Sequence, residues 1–268
     1  MSAAASLADR LAPLTDDPAH GAVLLDVDGV LAPIVRHADD AHVPEPTRVP
    51  LIAVAKRYGL VACVTGRRAT VARRIVSLGS ITYVGNHGAE ILRGGQTEPE
   101  QDPEVAAWSQ RMAAFADGAH TEVLDRLRIR TEDKDVIRAF HWRGAPDEAA
   151  AEAAVRDLAE TAEADGFVTH WGRKVLEVRP PVALDKGRGV RQLIEGSAMR
   201  AALYAGDDRT DIDAFEALRA LVAEGVLETA VCVGVRSEET PADLEAAADV
   251  LVDGPPGVRD LLNTLAAQ

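Results

Sequence analysis

The stretch LLDVDGVLAPIV, residues 24–35, sets two carboxylates two positions apart directly behind an apolar run. Residues 22–26 (AVLLD) are apolar on both alternating sides until the acid, the pattern of a strand buried on both faces. Such a strand has no room for an unpaired charge, so Asp26 and Asp28 belong at its end, where Gly29 lets the chain turn away. In an extended segment positions i and i+2 point to the same side, so both carboxylates can reach one ligand.

The same pattern recurs on either side of this stretch. Residues 4–13 read as a short helix with Leu7 and Leu11 on one face. Residues 46–59 read as a helix ending at Gly59, residues 60–64 as a second buried strand, residues 67–78 as a helix and residues 81–85 as a third strand. This alternation implies a parallel sheet. The pattern then changes. Residues 104–115 space Val105, Trp108, Met112 and Phe115 like one helix face. Residues 126–132 and 135–143 alternate like half-buried antiparallel strands, 146–165 read as a helix, and 167–171 and 174–180 as two more strands closed by Pro180 and Pro181. From Lys186 the buried pattern returns, with helices over 186–195, 208–224 and 255–266 and strands over 201–206 and 230–235. The expected fold class is α/β. Residues 1–99 and 181–268 make a discontinuous parallel-sheet core, and residues 100–180 an inserted α+β domain.

Composition narrows the function. The 268 residues are 47% hydrophobic and carry a net charge of −14, which argues against a nucleic-acid partner. Cys63 and Cys232 sit in apolar runs and read as buried reduced thiols rather than as a disulfide or metal pair. The first twenty residues hold Asp9, Asp16 and Asp17 and no long apolar run, and nowhere are eighteen apolar residues consecutive. A cytoplasmic protein with no membrane span is expected, acting as a monomer.

Ligands of an open parallel sheet bind at the carboxyl ends of its strands, where the strand order reverses. Asp26 and Asp28 follow the first strand, Thr65 the second, and Asp207, Asp208 and Asp211 the strand at 201–206, while Lys186 opens the helix after the insert. Acids gathered there would repel, and a divalent cation removes the conflict; oxygen ligands without His or Cys suit Mg2+. Asp26, Asp207 and the Asp28 carbonyl are the expected ligands, with Asp211 on the ion or directly behind it. Thr65 and Lys186 can donate to phosphoryl oxygens. Asp26 is then a nucleophile that forms an aspartyl phosphate, and Asp28 a general acid and then base. A receiver module would use a similar Asp, Thr, Lys and Mg2+ set, but it has no use for Asp28 or for an insert of about eighty residues. A carboxylate-pair glycosidase leaves Thr65, Lys186 and the Asp207 group unexplained.

Taken in order, DVDGVLAPIV, VTGR, DKGRGV and GDDRTDIDAF resemble the motifs of the haloacid dehalogenase superfamily. Together with VGNHGAE (84–90), FHWR (140–143) and HWGRKVLEVRP (170–180), they are similar to its trehalose-6-phosphate phosphatase family. The resemblance runs over about residues 21–262. It implies a Rossmann-like core with an α/β cap, and Mg2+-dependent hydrolysis of trehalose 6-phosphate to trehalose and phosphate. It further implies substrate contacts from Gly66, Arg67, Asn86, His87 and Gly88 in the core, and from Glu132, Lys134, Arg143, Arg173 and Glu177 in the cap. Lys174 alternates out of phase with Arg173 and Glu177, and His141 and His170 read as structural. Sucrose phosphate or mannosyl-3-phosphoglycerate is the alternative substrate class.

Overall fold

A computed structural model describes residues 7–35, 40–119, 122–134, 136–238 and 240–267. In chain order, helix α1 (Leu7–Asp16) leads through a 3-10 turn into β1 (Gly21–Leu25), followed by α2 (Glu45–Arg57), β2 (Leu60–Val64), α3 (Ala69–Val76), β3 (Thr82–Gly85), β4 (Glu90–Leu92) and β5 (Glu100–Gln101). The inserted segment comprises α4 (Pro103–Ala106), α5 (Ser109–Ala119), α6 (Glu122–Arg126), β6 (Arg130–Asp133), β7 (Arg138–His141), α7 (Glu148–Ala164), β8 (Val168–Gly172) and β9 (Val175–Arg179). The chain continues with α8 (Lys186–Ile194), β10 (Ala201–Gly206), α9 (Asp211–Ala223), β11 (Thr229–Arg236), α10 (Ala242–Ala247), β12 (Val250–Asp253) and α11 (Gly254–Ala267). Two compact units result: the chain up to Glu100 together with Leu184 onward, and Gln101–Ala183.

In the first unit eight strands form one sheet in the order β12-β11-β10-β1-β2-β3-β4-β5. β1 lies between β10 and β2, parallel to both. From β1 the chain winds outward in one direction through β2 and β3, and after the insert in the other through β10, β11 and β12, so the strand order reverses at β1. All five residues of β1 are buried because helices cover both faces. Val23, Leu25, Leu203 and Val233 pack with Leu11, Leu51, Val54, Leu261 and Leu262 on one face. Ala22, Leu24, Tyr204 and Cys232 pack with Val190, Leu193, Phe215 and Leu218 on the other.

The second unit is an antiparallel sheet in the order β6-β7-β9-β8. Phe140, Leu176 and Val178 pack against Met112, Phe115, Val155 and Phe167 from the helices and their adjoining loop. The opposite face carries the cross-strand row Glu132, Ala139, Glu177 and His170.

Several elements differ from their sequence reading. β4, β5, β12 and α10 are too short for periodicity to signal them. The helix expected over 104–115 is two helices, α4 and α5, with a break at Ala107 and Trp108; the stripe still lies inward, Val105, Met112 and Phe115 being buried. Asp102 caps α4 by accepting from the Glu104 and Val105 N–H groups. Residues 4–6 of the first expected helix, and Asp135 in the strand expected over 135–143, lie outside the described residues. The inserted unit ends at Ala183 rather than at Pro180 and Pro181.

Candidate active site

β1 ends at Leu25, one residue earlier than its apolar run predicts, so Asp26 is the first residue past the strand, its N–H donating to the Ala205 carbonyl at 2.9 Å. The chain then turns tightly, with the Leu31 and Ala32 N–H groups donating to the Val27 carbonyl. Gly29 sits at φ +76° inside this turn, and a Cβ there would overlap the Asp207 carboxylate, so only glycine lets the turn pass against that acid.

Lys186, the first residue of α8, is 2% exposed and reaches into the acids. Its Nζ lies 2.7 Å from Asp211 Oδ1, 3.0 Å from Asp26 Oδ2 and 3.8 Å from Asp208 Oδ1. Burial alone would lower the lysine pKa, but the three carboxylates outweigh it and hold Lys186 charged, its pKa well above the usual value. The acids respond unequally. Burial pushes Asp26 well up; Lys186 opposes that rise and Asp211 and Asp207 reinforce it. Burial, then Asp211 and Asp208, push Asp207 to about 7. Burial also raises Asp211 against the pull of Lys186. Asp208 goes the other way: burial would raise it, but Lys186 and the Thr210 hydroxyl hold it low.

Asp26, Asp207 and Asp211 each offer an oxygen within 4.8 Å of the others, the one such acid cluster among the described residues. Their chemistry fits a hard divalent cation, since one lysine cannot neutralise four carboxylates. Asp211 is already engaged by donors of the protein. Its Oδ1 accepts from Lys186 and from the Tyr204 hydroxyl at 2.7 Å each, and its Oδ2 from the Asp207 and Asp208 N–H groups at 2.9 and 3.0 Å. Those four donors use the lone-pair sites of a carboxylate, leaving Asp26 and Asp207 to face a cation.

Thr65 follows β2 and is buried. Its Oγ1 accepts from the Arg67 N–H at 3.2 Å, which leaves the hydroxyl proton to donate elsewhere. Arg67 itself grips Asp28. Asn86, His87 and Gly88 form a turn behind β3 with three successive positive φ angles, 49°, 56° and 94°. The His87 ring packs beside Gly66, and Gly88 lies against the Asp185 carbonyl at the start of α8.

In the inserted unit the structure brings Lys134 and Glu177 together, Nζ to Oε1 at 2.8 Å, and adds Arg179, whose Nε donates to Glu177 Oε2 at 3.0 Å. Burial would raise Glu177, but the two cations prevail and hold it at about 2. Glu132 instead pairs with His141 Nε2 at 3.0 Å, which lowers its pKa. Arg143 and Arg173 do not join the Glu177 cluster. Arg173 and Lys174 form the turn between β8 and β9, where Arg143 Nη2 donates to the Arg173 carbonyl and Lys174 takes φ +62°. Strand alternation therefore does not apply to Arg173 and Lys174, and Lys174 pairs with Glu148. Three residues escaped the sequence reading. Arg179 is signalled by sitting two positions beyond Glu177 on an alternating strand. Glu90 is signalled as an acid opening an apolar strand; Tyr204 carries no signal beyond a polar tip in a buried run.

The family model described as Trehalose-phosphatase matches residues 24–249, a span that contains every site residue described above. A "Probable trehalose-phosphate phosphatase D" from Arabidopsis thaliana is 31% identical over 209 residues, 74% of this chain and 56% of that protein. "Trehalose 6-phosphate phosphatase RA3" from Zea mays is 31% identical over 262 residues, 91% of this chain and 69% of that protein. The chain spans about half the length of the plant relatives first matched. Among solved structures, the C-terminal domain of a C. albicans trehalose-6-phosphate phosphatase aligns with a TM-score of 0.70 at 20% identity, over 99% of this chain and 98% of that one. A haloacid dehalogenase-like hydrolase from Bacteroides thetaiotaomicron aligns at 0.63 and 13% identity, over 92% of this chain and 99% of that one, which shows a shared fold. With the acids at the point of strand reversal, Lys186 among them and the family match spanning both units, this chain belongs to the trehalose-phosphatase family.

Proposed function

We propose that this chain hydrolyses trehalose 6-phosphate to trehalose and inorganic phosphate. The observation that carries this reading is Asp26, a buried carboxylate paired to Lys186 at 3.0 Å at the point of strand reversal. An Asp26 oxygen attacks phosphorus in line, the bond from phosphorus to the sugar oxygen breaks, and Asp28 gives its proton to the departing alkoxide. Asp28 then takes a proton from water, whose oxygen attacks the same phosphorus and releases phosphate and the Asp26 carboxylate. Lys186 opposes the upward push of burial on Asp26 and so favours its carboxylate form, and the Thr65 hydroxyl donates to the phosphoryl oxygens. Arg67 holds both Asp28 oxygens in a fork, and an arriving phosphate competes for that guanidinium and frees an Asp28 oxygen to face the leaving group.

Asp26 and Asp207, with the Asp28 carbonyl, would hold Mg2+, which when bound supplies positive charge to the phosphoryl oxygens. Asp211 keeps Asp207 and Lys186 in place. In the inserted unit Lys134, Glu177 and Arg179 recognise sugar hydroxyls, with Glu132, Arg143 and Arg173 as further contacts. Two buried free thiols support a cytoplasmic location, and the net charge of −14 speaks against nucleic acid. Among the described residues no helix is long and apolar enough to cross a membrane.

The test is phosphate release from trehalose 6-phosphate, glucose 6-phosphate and sucrose phosphate, with Mg2+ and with chelator. Sustained turnover, fastest on the trehalose ester and lost with chelator, is expected. Equal rates on all three esters would remove the trehalose assignment. A single stoichiometric phosphorylation would replace the hydrolase with a phosphoacceptor.

A further inference from the structure

We propose that Glu90 is a positioning residue for the phosphate-handling loops: its buried carboxylate ties the start of α3 to the Asn86 side chain and thereby holds Thr65 and Arg67 in register. The inference rests on the phosphatase reading above and adds to it a residue outside the acid cluster.

An acid opening the strand EIL is unexpected, and Glu90 is only 3% exposed. Its place is explained by α3. That helix begins without a side-chain cap of its own, because Arg68 stands at the capping position. Its first N–H groups therefore need an acceptor from elsewhere, and the helix dipole favours an anion there. Glu90 Oε1 supplies it, accepting from the Ala69 N–H at 2.6 Å across twenty-one positions of sequence. The same oxygen accepts from Asn86 Nδ2 at 3.4 Å.

Those two bonds meet where two loops are stitched together. The Asn86 N–H donates to the Arg67 carbonyl at 2.8 Å, and the His87 N–H to the Thr65 carbonyl at 3.1 Å. Asn86 and His87 hold left-handed backbone conformations that side-chain-bearing residues disfavour, so the turn persists only while its surroundings hold it. Gly85 completes the joint. A Cβ there would collide with the Ala69 nitrogen, the Arg67 carbonyl oxygen and Glu90 Oε1, so the carboxylate lies directly against the backbone of both loops. Removing it leaves the Ala69 N–H without its acceptor and the strained turn with one restraint fewer. Thr65 would then lose its aim at phosphate, and Arg67 its aim at Asp28.

The test uses the full chain with Glu90→Ala, Glu90→Gln and Leu262→Ala, the last a buried residue of α11, which packs chiefly on α2, β11 and β12, chosen to lower the melting temperature. Three quantities are read: calorimetric affinity for inorganic phosphate with Mg2+, kcat and KM on trehalose 6-phosphate and on a small aryl phosphate, and amide exchange of residues 65–69 and 86–88. Glu90→Ala should weaken phosphate binding by about tenfold or more, as losing one charge-assisted hydrogen bond would, and should lower kcat/KM on both esters by one common factor. Exchange at both loops should quicken together. Glu90→Gln keeps an acceptor for Ala69 and should recover most of each quantity. Leu262→Ala should leave phosphate affinity unchanged. Should Glu90→Ala fail to fold, Glu90→Asp, which keeps the charge but falls short of Ala69, should show the same losses. Wild-type phosphate affinity and loop exchange in a folded Glu90→Ala, or an equal loss of affinity in Leu262→Ala, would overturn the inference. If the loops loosen as expected but wild-type protein neither binds phosphate nor releases it, the phosphatase reading falls instead.

Discussion

Arg67 grips Asp28 with a two-pronged fork, Nε to Oδ2 at 2.6 Å and Nη2 to Oδ1 at 2.8 Å. The two residues are far apart in sequence and meet because β1 and β2 are parallel neighbours, so the loops behind them share one edge of the sheet. Only a guanidinium makes this planar double contact. Arg67→Lys should therefore lower kcat/KM by roughly 10- to 100-fold on every phosphate ester tested, the equivalent of one charged hydrogen bond. Steady-state kinetics on trehalose 6-phosphate and an aryl phosphate check this; an unchanged rate would show that the fork has no part in turnover.

Asp26→Asn should abolish turnover by more than about a thousandfold, because an amide oxygen cannot replace the attacking carboxylate. The same substitution should raise the melting temperature of the metal-free protein at pH 8. The environment of Asp26, burial first and then Asp211 and Asp207, disfavours its charge, and asparagine carries none. Calorimetry beside a phosphate-release assay reads both effects. A folded variant keeping a tenth of the rate would exclude a covalent aspartyl intermediate.

The acid cluster makes stability depend on pH in a direction opposite to that of ordinary carboxylates. Asp207 is raised from 3.8 to about 7, and Asp26 and Asp211 are raised as well, so the metal-free folded state binds more protons than the unfolded chain. The Asp207 contribution is complete below the ordinary carboxylate range and is lost as pH rises through about 7, and Asp26 and Asp211 act in the same direction. The metal-free melting temperature should therefore fall between pH 5 and pH 8, and Mg2+ should restore more of it at pH 8 than at pH 5. Asp207→Asn should remove most of the Mg2+ effect. A Mg2+-induced rise equal at both pH values would exclude these acids as the ion's ligands.

Glu177 has the opposite sign. Lys134 and Arg179 hold it at about 2 against the upward push of burial, so its stabilisation is present above 4.5 and lost as pH falls toward 2. The difference in melting temperature between wild type and Glu177→Gln should thus narrow from pH 6 to pH 3.

Glu177→Ala separates the inserted unit's role from a general defect. It should lower kcat/KM for trehalose 6-phosphate by roughly 10- to 100-fold, the loss expected of a charge-assisted hydrogen bond to a hydroxyl, and leave a small aryl phosphate within about threefold. Equal losses on both substrates would assign Glu177 to folding alone.

Several chemical groups were legible from strand ends alone. Asp26, Thr65 and Asp207 each stand behind a fully apolar run, where the next residue must leave the core. Lys186 opens the helix that returns after the insert. The alternation read across Arg173 and Lys174 fails because both lie in the two-residue turn between β8 and β9, where Lys174 takes a positive φ that no periodicity reveals.

The sequence by itself determined the α/β alternation and which acids follow the central strands, because burial on both faces leaves a local signature in β1, β2 and β10. Only the tertiary structure decided what each acid does there. Asp211 is saturated by Lys186, Tyr204 and two backbone N–H groups, whereas Asp207 keeps its carboxylate against Gly29. Arg67 finds Asp28, and Glu90 finds Ala69, across a register set by strand pairing. Hydrogen-bond partners distant in sequence depend on which strands are neighbours and where each loop points, and both are properties of the assembled sheet.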